Sequence, residues 1–108
     1  MRQKSVAELR KTRRRRAHGA WQLDDGLSLV FKPQGHSQPA HQHPYPIRVR
    51  VLRGCLEVCT EQGKHLLRNA ARVLAIPAGA WHSTWAAEDT WLVVESGKMP
   101  GDERAERD

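Results

Sequence analysis

From Leu27 onward the apolar positions come in short runs, each closed by a turn residue or a charge. Leu27-Ser28-Leu29-Val30-Phe31 is the first. A stretch rich in Pro, Gly, Gln and His follows over 33–46 and reads as a loop. Then come Ile47 to Leu52, Leu56 to Thr60 after Gly54, His65 to Leu67 after Gly63, and Val73 to Ile76; Trp81 to Trp85 and Thr90 to Glu95 end the series. Short runs at roughly ten-residue spacing, with Gly or Pro at the joins, predict an all-β sandwich or barrel of antiparallel strands.

Strand parity sharpens this picture. Between Ile47 and Leu52 apolar and mostly basic residues alternate, so Ile47, Val49 and Val51 face inward while Arg48 and Arg50 face out. Carried back along the chain, the same parity turns Tyr45, His43 and His41 inward. Two histidines two residues apart on a strand share a face and lie about 7 Å apart along the backbone, within reach of one metal ion. His82 follows the turn Pro77-Ala78-Gly79 on another predicted strand and supplies a third imidazole, with Thr84 sharing its parity. In the strand after Gly54 the alternation places Leu56 and Val58 in the core, and Cys55, Glu57 and Cys59 on the other face.

Composition changes this reading little. The chain of 108 residues fits one domain, and its net charge of +6 is unevenly placed. Residues 1–16 hold eight Lys/Arg against Glu8 alone, so the remaining chain is close to neutral, with ten bases and eleven acids. The expected division is a basic arm over 1–18, a β domain over 19–98 and a charged, disordered tail over 99–108. The arm is either a short helix over 4–16, capped by Ser5 with Glu8 at its third position, or disordered. A basic arm without a basic face on the folded body argues against nucleic-acid binding. Cys55 and Cys59, four apart in one extended run, are about 13 Å apart and out of disulfide reach. Reduced thiols, the lack of an apolar span and the lack of a signal-peptide pattern point to a cytoplasmic protein without a membrane segment. His18, His36 and His65 are expected in solvent, and Trp21, Trp81, Trp85 and Trp91 in the core or a subunit interface rather than around a ligand.

Two motifs then stand out. The first runs Gly35, five residues, His41-Gln42-His43, three residues, Ile47, six residues, Gly54. The second runs Ala71, five residues, Pro77-Ala78-Gly79, two residues, His82, three residues, Ala86. Their order, spacing and Pro-x-Gly-x-x-His centre resemble the cupin superfamily, over roughly residues 35–86. The chain departs where that family carries a ligand Glu, replaced here by Ile47, and where it carries the second motif's first Gly and last Asn, both Ala here. The resemblance implies a single cupin-type antiparallel β-barrel (jelly roll) and a metal site at His41, His43 and His82, with Ile47, Val49, Tyr45 and Thr84 lining the pocket. It also implies a homodimer.

An aliphatic residue in place of the Glu leaves the charge of a divalent ion uncompensated, which favours a small anionic or chelating ligand in the barrel. Three imidazoles suit Zn, Fe, Ni, Cu, Co or Mn, and ligand type does not choose among them. No Asp or Glu falls on the inward positions, so any catalysis falls to the metal as Lewis acid, redox centre or water activator; Tyr45 is the one weak candidate for a catalytic side chain. Metal-dependent dioxygenase chemistry is the first expectation, isomerase or lyase chemistry the second. The alternative is a non-enzymatic ligand-binding or sensory module, with or without metal.

Overall fold

The computed structural model describes residues 16–97. The tail over 99–108, and the arm helix expected over 4–16 apart from Arg16, lie outside the described residues. Nine strands form: β1 (Gly19–Asp24), β2 (Leu27–Lys32), β3 (Ser37–His41), β4 (Ile47–Arg53), β5 (Leu56–Thr60), β6 (Gly63–Leu67), β7 (Val73–Ile76), β8 (His82–Ala86) and β9 (Thr90–Ser96). No helix occurs among the described residues, so none is long and apolar enough to cross a membrane. The strands make two antiparallel sheets, in the orders β1-β2-β9-β4-β7 and β3-β8-β5-β6. The core lies between them: Val30, Val49, Val51 and Leu92 from the first sheet meet Leu56, Val58, Leu67 and Ala86 from the second. The architecture is a jelly roll. Its two sheets face each other as a sandwich and are not joined by ladder hydrogen bonds into a closed barrel, the one respect in which the expected barrel is corrected.

The inward parity from Ile47 to Val51 is observed: Ile47, Val49 and Val51 are buried, Arg48 and Arg50 exposed. Two strands were not expected. β1 precedes the first predicted run, and almost all its residues are exposed, so no apolar alternation announces it; it forms because its backbone pairs with β2 from Gly19 opposite Phe31 to Asp24 opposite Leu27. β3 occupies part of the predicted 33–46 loop. Its sequence, Ser-Gln-Pro-Ala-His, has poor strand propensity, and Pro39 is tolerated because β3 is an edge strand with an irregular step between Gln38 and His41.

Cys55 also departs from expectation. It lies ahead of β5, just after Gly54 with its positive φ of 106°, so the strand alternation does not extend to it. It is buried rather than on the outer face with the exposed Cys59, and both thiols are free. Its backbone N–H donates to the Thr90 hydroxyl at 3.1 Å.

Candidate metal centre and ligand cavity

The turn at Pro77-Ala78-Gly79 closes with an Ala80 N–H to Pro77 carbonyl bond of 3.1 Å. Gly79, at φ 79°, takes the left-handed backbone that glycine adopts without penalty. Its N–H donates to the His43 carbonyl at 2.7 Å, so the turn that delivers His82 also anchors the segment carrying His43. His82 opens β8 and pairs with His41, the last residue of β3. His43 lies past the end of β3 in the connection to β4. The two histidines of the His-x-His pair are therefore not held by one continuous strand, as the parity argument assumed; one is fixed by a ladder and the other by the turn of the second motif.

These elements bring the three imidazoles together. One ring nitrogen from each of His41, His43 and His82 lies within 4.8 Å of the others. The ring centroids are 4.2 Å apart for His41 and His82, 4.9 Å for His41 and His43, and 5.2 Å for His43 and His82. His41 Nδ1 is 2.8 Å from the Pro39 carbonyl and His82 Nδ1 is 3.1 Å from the Ala80 carbonyl. A carbonyl accepts only, so each Nδ1 carries the proton and donates it, leaving Nε2 with a free lone pair. This is the tautomer and orientation that histidine metal ligands use. His82 is buried at 4% exposure, while His41 and His43 are half-buried.

The electrostatics favour the neutral form of His43 and His82. Burial, then the charges of His41 and His82, hold His43 below the ordinary imidazole value. Burial likewise lowers His82, opposed by its bond to the Ala80 carbonyl and reinforced by His41 and Lys32. Neutral imidazoles with free Nε2 atoms fit a divalent first-row metal ion.

The cluster borders a cavity of about 360 Å³ between the sheets, within the range of small-molecule sites. Tyr45, Ile47, Val49 and Thr84 line it, and Ile76 and Leu92 extend its apolar wall. Tyr45 stacks on His43 at 5.2 Å with an interplanar angle of 20°. None of the tryptophans lines this cavity. Trp21, Trp81 and Trp85 are exposed; Trp91 packs between Phe31 and Trp21 at centroid distances of 4.8 and 5.8 Å.

Two corrections bear on the site. His36, expected in solvent, is half-buried with Nδ1 shut off from solvent without a partner; it stacks at 4.5 Å on His18, which is exposed as expected and also lines the cavity. His65 is half-buried, accepting from Arg72 at Nδ1 (3.2 Å) and donating from Nε2 to the Thr60 hydroxyl (3.3 Å). The residue that the sequence did not reveal is Lys32. It points into the cavity beside Ser28 and Val30, is 5% exposed, and donates from Nζ to Gln38 Oε1 at 3.1 Å and to Thr84 Oγ1 at 3.4 Å. No Asp or Glu lines the cavity among the described residues.

No protein-family model matches the chain, and no curated protein matches it by sequence. Solved structures do. A conserved protein of unknown function from Streptococcus pyogenes superposes with a TM-score of 0.63 at 20% identity, over 68% of this chain and 63% of that one. A cupin superfamily protein from Desulfitobacterium hafniense gives 0.62 at 19% identity, over 74% of this chain and 75% of that one. The DMSP lyase DddQ from Ruegeria pomeroyi gives 0.61 at 25% identity, over 74% of this chain and 47% of that one. The chain thus spans less than two thirds of the Streptococcus protein and about half of the lyase. Two facing antiparallel sheets, the motif turn and these likenesses agree: the chain has the jelly-roll fold seen in cupin superfamily proteins.

Proposed function

We propose that the protein binds one divalent metal ion through His41, His43 and His82 and holds a small anionic or chelating ligand in the adjoining cavity, as a metal-dependent enzyme of the oxygenase type. The observation that carries this is the pair of Nδ1–H···O=C bonds, His41 to Pro39 and His82 to Ala80, which leave two Nε2 lone pairs free on rings that cluster with His43. The ion would supply Lewis acidity, and one-electron chemistry if it is iron or copper. The chain's own residues do the rest. The backbone carbonyls fix the tautomers, Ile47 and Val49 keep the wall beside the cluster apolar, and Tyr45 flanks His43 with a hydroxyl that can orient a ligand. Ile47 contributes no charge, so the ligand supplies the anion. Lyase or isomerase chemistry is the second form of this reading, in keeping with the activity named for the Ruegeria lyase.

A non-enzymatic sensory module is the competing reading. It is favoured by the lack of any carboxylate around the cavity that could serve as general base. Metal analysis of tag-free protein beside His41→Ala and His82→Ala variants tests the site: the native protein holds about one ion per chain and the variants far less. Equal, negligible metal in all three ends the proposal. With metal bound, oxygen uptake or product formation over a panel of chelating acids, thiols and diketones separates enzyme from module. We also expect a homodimer; Trp21 and Leu23 on the edge strand β1 offer exposed apolar surface for it, and light scattering gives the mass. The free thiols of Cys55 and Cys59 suit a reducing, cytoplasmic setting.

A further inference from the structure

An ammonium inside a protein is costly unless an opposite charge answers it. Lys32 comes from β2 and reaches across the cavity to the other sheet, where its two acceptors, Gln38 on β3 and Thr84 on β8, are both neutral. An ammonium has three N–H donors, and among the described residues no carboxylate lies within ion-pairing distance of this one. A strut between the sheets would need neither a charge nor a lysine, since two apolar side chains would serve at lower cost. Burial holds the Lys32 ammonium below the ordinary lysine value, and an anion brought beside it would offset that cost.

Its relation to the imidazoles is set by the strand register. On β3 and β8, His41 is the partner of His82 and Gln38 is the partner of Thr84. Thr84 lies two residues beyond His82 on the same strand face and lines the same cavity. Successive residues on one strand face are about 7 Å apart, so the ammonium is held roughly one such step from the histidine cluster. A short acid spans that gap, with one oxygen group at the ammonium and another at the imidazoles.

We propose that Lys32, positioned by Gln38 and Thr84, is the receptor for a carboxylate of the ligand, and that the ligand class is small diacids and 2-oxo acids of roughly two to four carbons. The proposal deepens the metal-site reading and rests on it for the ligand's other end. The Lys32 contact itself does not need the metal, and the test uses that.

Malonate is the probe, with malonamide as its neutral counterpart, and binding is followed by calorimetry in zinc-loaded and metal-free protein. In the zinc-loaded protein, Lys32→Met is expected to weaken malonate about tenfold to a hundredfold, the usual loss for a charge-assisted hydrogen bond. Zinc stoichiometry stays unchanged, and Lys32→Arg restores part of the affinity. Unchanged malonate affinity in Lys32→Met overturns the proposal, including when its melting temperature falls, since that is what a mere strut predicts. The wild-type protein provides a control that needs no variant to fold: metal-free, it should bind malonate at least tenfold more tightly than malonamide. Equal binding of the two also overturns it. Should wild type take up no zinc, the metal reading fails by itself, and the malonate preference of the metal-free protein still decides for or against Lys32.

Discussion

His41 and His82 are direct partners across the β3–β8 ladder, with ring centroids 4.2 Å apart. Each ring is steadied by a carbonyl two residues before it in its own segment, Pro39 and Ala80. His43 has no such ladder and is carried on a connection whose backbone the Gly79 N–H holds. Removing either ladder histidine should therefore lower metal affinity by more than about 100-fold, above the usual loss when a supporting residue is removed. His43→Ala should also weaken binding, while Tyr45→Phe should leave metal affinity within a few-fold. Competition with a fluorescent zinc chelator reads all four proteins; an Ala variant at His41 or His82 with native affinity would remove that residue from the site.

Acid should act on this cluster in a defined direction. His43 and His82 are held below the ordinary imidazole value of 6.5, first by burial. The unfolded chain then binds more protons at these rings than the folded protein does, from about pH 6.5 down to the lowered folded values, so stability of the metal-free protein falls as pH drops through that window. Metal release takes up protons at the same rings. The expected result is a falling melting temperature between pH 7 and 5 in metal-free protein, with the zinc-loaded protein shifted to lower pH. A metal-free protein whose melting temperature is flat across this range would contradict the burial of His82.

By the motif resemblance, Ile47 takes the place of a ligand carboxylate, and it is buried at 8% exposure beside Ile76. Ile47→Glu places a carboxyl group in an apolar wall, which costs about 3–5 kcal/mol when no counter-charge meets it. The metal-free variant should melt below wild type at pH 7. Zinc should then raise its melting temperature more than it raises that of wild type, while malonate affinity drops because the ion's charge is already met. A variant that zinc does not stabilise beyond wild type would place residue 47 outside the ion's reach.

What the sequence made legible was carried by clean alternation and by spacing. Ile47 to Val51 alternate without exception, so the core face of β4 is readable, and the Pro77-x-Gly79 turn fixes where His82 emerges. β3 and β1 were hidden for opposite reasons. β3 looks like a loop because Pro39 and two polar residues suit only an edge strand. β1 shows no alternation because nearly all of it is exposed. Lys32 was hidden because it sits on the more polar face of β2. Leu27, Leu29 and Phe31 look like the core row, yet Ser28, Val30 and Lys32 line the cavity. Phe31 is buried all the same, because Trp91 packs on it and the Arg16 guanidinium lies 5.9 Å from its ring. A second apolar layer outside the sheet thus reverses the parity that hydrophobicity alone suggests.

Gly54, the last residue of the first motif, should be the least replaceable glycine among the described residues. Its φ is 106°, and a Cβ built there would collide with the Asp89 carbonyl oxygen and lie 2.6 Å from Thr90 Oγ1 and 2.7 Å from Thr90 Cα. Thr90 has no room to yield. It is fully buried, its hydroxyl accepts from the Cys55 N–H at 3.1 Å, and the Glu88 and Cys55 carbonyls lie 2.8 and 3.1 Å away as its acceptors. Thr90 is also the ladder partner of Lys32, so a shift there reaches the cavity. Gly35 offers the control, with φ 87° and nothing within 4 Å of its Cβ position. Gly35→Ala meets only the backbone penalty of a left-handed conformation, about 1–2 kcal/mol. Gly54→Ala adds the collision and should lose about 3 kcal/mol or more. Urea unfolding of both variants measures the difference, and equal losses would show that the contact between Gly54 and Thr90 is looser than the structure has it.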